Sequence, residues 1–319
     1  MKRYLEDIIK RDLESKIILI TGPRQVGKTT LAKMIGDDYE YLNYDYPEHR
    51  LIIHKRSWNR KKRIIIFDEL HKMKDWKNFL KGIYDVEGLK NKIIVTGSAR
   101  LSMKKKQGDS LAGRFFEFRL FPVDLFETKN ENDFEKLFKI SGFPEPFLKN
   151  NEEFYRRWRK SHYDIILRKD LIETEKISDI PSIELLSELL KERVGSLISY
   201  LNLSEDLQKS PATVKRWSDI LENLYLVFKL MPYHRNIARA ILKSPKYYFF
   251  DTAIVKGDIG AKIENIVALS LYKYLSFLEG TKGYETSLYF LRDKEKREID
   301  FYVKVEKNEY LIEVKEYIW

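Results

Sequence analysis

The sequence contains no cysteine among its 319 residues. This absence excludes disulfides, a cysteine-ligated zinc or iron–sulfur centre and a thiol nucleophile. No apolar run reaches the ~18 residues that a membrane-spanning helix needs, and residues 1–10 lack the apolar core of a signal peptide. We therefore predict a protein of a reducing, cytoplasmic compartment with no membrane partner.

What the sequence does have is charge and enough apolar residues to build cores. Hydrophobic residues make up 43% and charged residues 34%, with a net charge of +10 that is concentrated in the first 120 residues. Such an excess is typical of proteins with a polyanionic partner, and it also serves solubility. The pattern shifts along the chain predict four segments, which are residues 1–127, 128–183, 184–250 and 251–319.

A glycine-rich segment directly follows the short apolar run at residues 17–20. Residues 22–29 read GPRQVGKT and fit the phosphate-binding pattern G-x-x-x-x-G-K-[ST] at every defined position. The residues that follow have helical spacing, so the motif has the expected context of strand, loop and helix. The predicted ATP-contacting residues here are Gly22, Pro23, Arg24, Gln25, Val26, Gly27, Lys28, Thr29 and Thr30.

A second apolar run, at residues 64–67, ends in the carboxylates Asp68 and Glu69. Because ligands bind at the carboxyl ends of strands in open α/β sheets, this pair is predicted to lie beside the loop of Lys28. We expect Lys28 to contact the β- and γ-phosphates, and Thr29 and Asp68 to hold Mg²⁺. Glu69 would then act as the general base.

A third strand, at residues 92–95, leads into Thr96 and Ser98. A hydroxyl at a strand tip can sense the γ-phosphate, and the sequence does not decide between these two; Ser98 is included among the ATP-contacting candidates. Arg100 and Arg114 are alternative candidates for neutralising the transferring phosphoryl group, from the same chain or from a neighbouring subunit of an oligomer.

The order GPRQVGKTT, IIIFDELHKMKDW, IIVTGSAR and SLAGRFFEFRLFPVDLFE resembles the archaeal and bacterial AAA+-type P-loop ATPases that carry a C-terminal domain of unknown function. Downstream, SGFPE at residues 141–145 and KYYFFDT at residues 246–252 resemble further stretches of that family. The resemblance covers essentially the whole chain. It implies ATP binding and slow hydrolysis coupled to an unidentified target.

The middle of the chain reads as helical. Residues 128–183 have amphipathic spacing and suit a connector. Residues 184–250 predict three helices and a hairpin, which is a winged-helix outline, and Ser210 with Pro211 is a good start for the third helix. In a DNA-binding version of this module, Thr213, Lys215 and Arg216 would face bases or phosphates.

The last segment predicts a helix followed by three strands. Alternation along the third strand would place Glu313 and Lys315 on one face, with Asp300 on the neighbouring strand. This is the D…E-x-K arrangement of the PD-(D/E)xK nuclease-like fold, which the C-terminal domain of the family also resembles. Asp300 and Glu313 would hold Mg²⁺, Lys315 would orient the water, and Glu264 could supply another carboxylate.

The expected architecture is thus an α/β chain with a P-loop NTPase parallel sheet, a helical connector, a winged helix and a small α/β nuclease-like domain. The leading hypothesis is an ATPase that uses ATP and Mg²⁺ and couples nucleotide state to the later modules. The alternatives are an ATP-dependent or ATP-regulated DNA nuclease, and a non-hydrolysing nucleotide switch that binds a protein partner.

Overall fold

A computed structural model describes residues 1–97, 111–167, 171, 179–234 and 243–315. Ser98 and Arg100 lie outside these described residues. The chain divides into two compact units, one of Met1–Phe121 with Gly280–Lys282 and the other of Pro122–Glu279 with Gly283–Trp319. Both units mix helices and strands, which confirms the predicted α/β class.

The first unit alternates strands and helices along the chain. Its helices are α1 (Glu6–Asp12), α2 (Lys28–Met34), α3 (Pro47–Lys55) and α4 (Trp76–Glu87). Its strands are β1 (Ile17–Thr21), β2 (Tyr39–Asn43), β3 (Ile64–Asp68), β4 (Lys92–Thr96) and β5 (Phe115–Arg119).

These strands form one parallel sheet in the order β2-β3-β4-β1-β5. Parallel pairing brings the carboxyl ends of all the strands to one edge. The register aligns Asn43 with Asp68 and Asp68 with Thr96 across neighbouring strands. The predicted parallel sheet is therefore confirmed, and its carboxyl edge is where the phosphate loop leaves β1.

The central strands are apolar because both faces of the sheet are covered. All residues of β1 and β3 are buried. On one face, Phe67 packs edge-on against Trp58 and Phe79, with ring centroids 5.5 and 6.0 Å apart. Aromatic rings in this arrangement interlock tightly, so the strand ends that carry the polar residues have a rigid base.

The second unit begins with helices and ends with a sheet. Its helices are α5 (Glu131–Lys139), α6 (Pro144–Lys149), α7 (Glu152–Asp164), α8 (Ile180–Glu192), α9 (Tyr200–Leu207), α10 (Pro211–Asn223) and α11 (Ile259–Lys282), although the last three residues of α11 group with the first unit. Its strands are β6 (Val227–Pro232), β7 (Lys246–Phe249), β8 (Thr286–Arg292), β9 (Glu298–Val305) and β10 (Asn308–Ile312).

The strands of this unit form a single sheet in the order β10-β9-β8-β6-β7. Strands β6 and β7 are antiparallel, as a wing would be, but β6 also pairs in parallel with β8. The hairpin that the sequence assigns to a winged helix and the strands that it assigns to a nuclease-like module thus share hydrogen bonds. Predicted capping is seen at α10, where the Ser210 side chain accepts a hydrogen bond from the backbone N–H of Thr213.

A buried ion cluster fixes the segment that follows β5 to α11. Lys273, 3% exposed, donates to the carbonyl of Pro122 at 3.0 Å and to Asp124 at 2.9 Å, and it also contacts Glu127. Burial raises the pKa of Asp124, and the neighbouring ammonium opposes that shift. Breaking a buried pair of this kind is costly, so the cluster holds this part of the unit in place.

Among the described helices, none combines the length and the apolar character needed to cross a membrane.

Candidate functional site: a nucleotide pocket at the carboxyl edge of the first sheet

The phosphate loop depends on two glycines with left-handed backbone angles. Gly22 has φ +135°, and a Cβ placed there would lie 2.1 Å from the carbonyl oxygen of Leu120. Gly27, at φ 91°, is the residue that precedes α2. Only glycine meets both demands easily, because the chain must turn sharply and pass close to other backbone. Thr30 is exposed in the first turn of α2.

Lys28 is folded back onto its own loop. Its Nζ donates to the carbonyl of Gly22 at 3.0 Å and to that of Pro23 at 2.5 Å, and the residue is 9% exposed. Burial lowers its pKa to about 8, while the carboxylates of Glu69 and Asp68 act in the opposite direction. The ammonium therefore lies in the pocket with neutral oxygen partners that a phosphate can replace.

Arg3 supports the loop from the amino-terminal segment, and no sequence pattern predicts that this segment lies here. Its guanidinium donates to the carbonyl of Val26 at 3.2 Å and to that of Phe121 at 2.5 Å. Because these two carbonyls accept hydrogen bonds from Arg3, they do not compete with a phosphate for the backbone N–H groups of the loop. No local sequence signal distinguishes this arginine from the other basic residues near the start of the chain.

The Asp68 carboxylate is where the site converges. Its Oδ2 accepts hydrogen bonds from the Thr29 hydroxyl at 2.9 Å and from the Tyr41 hydroxyl at 2.7 Å. Its Oδ1 accepts from the Thr96 hydroxyl and from the backbone N–H of Glu69, the latter at 3.1 Å. Burial and the adjacent Asp68 carboxylate raise the pKa of Tyr41, so the phenol stays a donor.

These contacts bear on the predicted magnesium ligands. Thr29 and Asp68 offer two hard oxygen donors in direct contact, and Mg²⁺ usually takes one or two protein oxygens together with phosphate oxygens and waters. The donor set therefore fits the ion. Tyr41 is a further member of the site that the sequence did not reveal, because its role depends on β2 lying beside β3.

Glu69 follows Asp68 with a left-handed backbone, φ 56°. Its Oε2 is buried, accepts no hydrogen bond from the described residues, and lies 3.4 Å from Nζ of Lys72 and 3.7 Å from Nε2 of His71. A carboxylate oxygen with an unfilled acceptor position in a pocket can take a proton from water. This geometry suits the predicted role of general base.

Thr96 lies at the end of β4, next to Asp68, and its hydroxyl is not open to a ligand. Thr96 is fully buried, and its hydroxyl is engaged with Oδ1 of Asp68. Its observed role is thus to orient the carboxylate.

The structure corrects the prediction that Arg114 reaches the phosphates within its own chain. Ile17 pairs with Phe115 and Thr21 with Arg119, so Arg114 lies at the amino edge of the sheet, opposite to the phosphate loop. Its guanidinium is held by Asp85 of α4, at 2.7 Å from Nε and 3.3 Å from Nη2. The apolar pattern of β5 indicated a strand, but it did not show at which edge of the sheet each end of that strand lies.

The predicted nuclease residues Asp300, Glu313 and Lys315 all lie within the described residues. Strand β10 ends at Ile312, so Glu313 and Lys315 lie beyond it and the alternation argument does not apply to them. Both side chains are more than half exposed, and they pair with each other at 3.4 Å. Asp300 accepts from the backbone N–H of Val314 at 2.8 Å.

Glu264 contacts Lys246 and Tyr248. Within the described ranges, no group of three or more histidine, aspartate and glutamate side chains is arranged to hold a metal ion.

The predicted DNA-contacting residues lie in the first half of α10. Thr213 is partly buried, and its hydroxyl contacts that of Ser210 at 2.9 Å. Lys215 and Arg216 are exposed.

Models of known families match three successive parts of the chain. Models match an AAA domain over residues 14–129, a domain of unknown function (DUF8612) over residues 131–262, and another (DUF4143) over residues 259–317. The first match contains the phosphate loop, Tyr41, Asp68, Glu69 and Thr96, but not Arg3. Residues 14–129 are thus similar to an AAA domain, and the matches that follow are to domains of unknown function.

Relatives along the full chain are themselves uncharacterised. A protein of Mycobacterium tuberculosis is 24% identical over 317 residues, which cover 94% of this chain and 70% of the relative. A protein of Methanocaldococcus jannaschii is 25% identical over 352 residues, covering 95% of this chain and 77% of the relative.

Similar solved structures are distant. A RuvB variant from Thermotoga maritima is 14% identical with a TM-score of 0.35, covering 70% of this chain and 85% of that one. ORC1 of Aeropyrum pernix, solved in complex with DNA, is 12% identical with a TM-score of 0.35, covering 84% of this chain and 93% of that one. Likenesses at this level assign no activity to this chain.

The geometry of Gly22 generates a direct test of the pocket. We expect Gly22→Ala to weaken the binding of a fluorescent ATP analogue by about tenfold or more, because the added Cβ must displace the backbone of Leu120. The matched control is Gly260→Ala, where the nearest atom to the new Cβ is Asp258 Oδ1 at 3.4 Å. Equal affinity in the two variants, each shown to be folded by its melting temperature, would contradict the assigned loop geometry.

Proposed function

We propose that the chain binds ATP with Mg²⁺ at the carboxyl edge of its first sheet and hydrolyses it to ADP and phosphate. The observation that carries this proposal is the convergence of Thr29, Asp68 and Glu69 beside Lys28, since residues from two separate motifs contact one another. The match of residues 14–129 to an AAA domain supports the same conclusion.

Binding would use the loop and its lysine. Nζ of Lys28 exchanges the carbonyls of Gly22 and Pro23 for phosphate oxygens, and the N–H groups of the loop cradle the phosphates. Thr29 and Asp68 would hold Mg²⁺, which when bound neutralises charge on the phosphates. Tyr41 and Thr96 keep the Asp68 carboxylate oriented for that task.

Hydrolysis would use Glu69. Its Oε2, which accepts no hydrogen bond from the described residues and lies 3.4 Å from Nζ of Lys72, accepts a proton from a water molecule as the water oxygen bonds to the γ-phosphorus. The bond from that phosphorus to the oxygen bridging the β-phosphate breaks, and the electron pair leaves with ADP. Lys28 stabilises the charge that develops on the transferring group.

Two substitutions separate binding from chemistry. Lys28→Ala should abolish measurable ATP binding, whereas Glu69→Gln should leave the Kd within a few-fold and reduce turnover by about 10²–10⁴-fold. The measurements are a Kd for an ATP analogue and the release of inorganic phosphate. Lys55→Ala and Glu48→Gln, both exposed on α3, are the matched controls and should behave as wild type.

Unchanged turnover in Glu69→Gln would remove Glu69 as the base. Tight ATP binding by the wild type with phosphate release at background would instead favour a nucleotide switch that does not hydrolyse.

The depressed pKa of Lys28 predicts how binding depends on pH. Because the protonated lysine is the form that binds phosphate, ATP affinity should fall as pH rises above about 8. The fall should approach about tenfold per pH unit until the pKa of the bound state is reached.

Calorimetry in buffers of different ionisation enthalpy checks this effect. Near pH 9, ATP binding should take up about one proton, whereas near pH 7 the uptake should be close to zero. Lys28→Arg keeps its charge throughout, so it should show no such uptake if it binds. Absence of proton uptake by the wild type near pH 9 would contradict the assigned environment of Lys28.

A second candidate function, contact with DNA through α10, is favoured by the exposure of Lys215 and Arg216 on one turn of that helix. If these residues contact phosphates, Lys215→Glu together with Arg216→Glu should weaken duplex DNA binding and reduce the slope of log Kd against log salt by about two. Lys139→Glu with Lys149→Glu makes the same charge change at exposed positions of α5 and α6. Equal DNA affinity and salt slope in both double variants would exclude this role of α10.

A further inference from the structure

The second unit contains a buried lysine between two glutamates. Lys246 begins β7 and is 2% exposed. Its Nζ lies 2.5 Å from Oε1 of Glu298, at the start of β9, and 3.4 Å from Oε1 of Glu264 on α11. Three elements that are far apart in sequence thus meet at one ammonium group.

The surroundings of Lys246 supply few other ways to stabilise its charge. The ring of Phe290 lies 5.4 Å from Nζ, and the backbone of β7 pairs with β6 on one side. A buried ammonium is strongly unfavourable unless it is paired and hydrogen-bonded. The two carboxylates therefore offset the free-energy cost of burying the Lys246 ammonium. The ammonium likewise offsets the cost of burying the carboxylates.

Three of the four carboxylate oxygens of this cluster are engaged. Oε1 of Glu264 accepts from the Tyr248 hydroxyl at 2.6 Å, and Oε2 of Glu298 pairs with Arg292 at 2.7 Å. Gly195, at φ +73°, packs so closely that a Cβ there would lie 2.6 Å from Oε2 of Glu264. A divalent cation would need several of these oxygens at ~2.1–2.5 Å, and three of the four already have another partner.

From this geometry we infer that the ammonium of Lys246 takes, between Glu264 and Glu298, the place that a divalent cation takes in a hydrolytic metal centre. Of the carboxylates that the sequence suggested for a nuclease centre, Glu264 is thus paired with a cation that belongs to the chain. The pair Glu264 and Glu298 therefore binds no metal ion between its carboxylates, and this conclusion does not depend on the proposed ATPase activity.

The first test measures Mn²⁺ binding without nucleotide, by electron paramagnetic resonance, in an Asp68→Asn background that removes the metal ligand of the first unit. Up to about 1 mM free metal, we expect Glu264→Gln and Glu298→Gln to leave the amount of bound Mn²⁺ unchanged. The reason is that these carboxylates already pair with cations of the chain. One Mn²⁺ per chain, lost on either glutamate substitution, would overturn the inference.

The second test removes the internal cation in the same background. Lys246→Met should create Mn²⁺ binding in the millimolar range, and adding Glu264→Gln should abolish it. The control is Lys304→Met, which removes the lysine of an exposed pair with Glu309 at 3.0 Å in the same sheet and should bind no additional metal.

A folded Lys246→Met protein that gains no Mn²⁺ affinity would overturn the inference. If this variant fails to fold, the first test still decides.

Discussion

One buried carboxylate, that of Asp68, organises the nucleotide site. It accepts hydrogen bonds from Thr29 on α2, Tyr41 on β2, Thr96 on β4 and the backbone of Glu69. These donors come together because parallel pairing aligns the ends of β2, β3 and β4 at one edge. A shift of one residue in any of these registers would turn the polar side chain to the other face of the sheet. The apolar packing beneath the sheet therefore serves the site by fixing that register.

The parts of this site that follow from local pattern could be predicted. The spacing of Gly22, Gly27 and Lys28 is a chemical requirement within one loop, and an acidic residue at the end of an apolar strand belongs at the same edge of a parallel sheet. Tyr41 could not be predicted in the same way, because its partner lies on a neighbouring strand and nothing in its own sequence surroundings indicates that strand. Arg3 was missed for a similar reason, since its contacts depend on where the first residues pass behind the loop.

Where local pattern misled, it identified the element but not its geometry. The sequence around Arg114 predicts a strand, yet pairing of β5 with β1 puts the arginine at the edge away from the loop, where Asp85 holds it. The alternation at residues 310–315 predicts one face for Glu313 and Lys315, but pairing of β10 with β9 stops at Ile312. Both outcomes depend on contacts between strands, which a periodicity within one strand does not contain.

Two buried lysines show how partners decide what a charged side chain can do. Lys28 lies against two peptide carbonyls, and burial leaves it with a pKa of about 8, so its charge is incompletely compensated. Phosphate oxygens can displace those neutral partners and provide the missing negative charge. Lys246 instead pairs with two carboxylates, and any ligand would have to separate those charges first. Burial alone therefore does not mark a binding residue, because the charge of its existing partners determines whether a ligand can replace them.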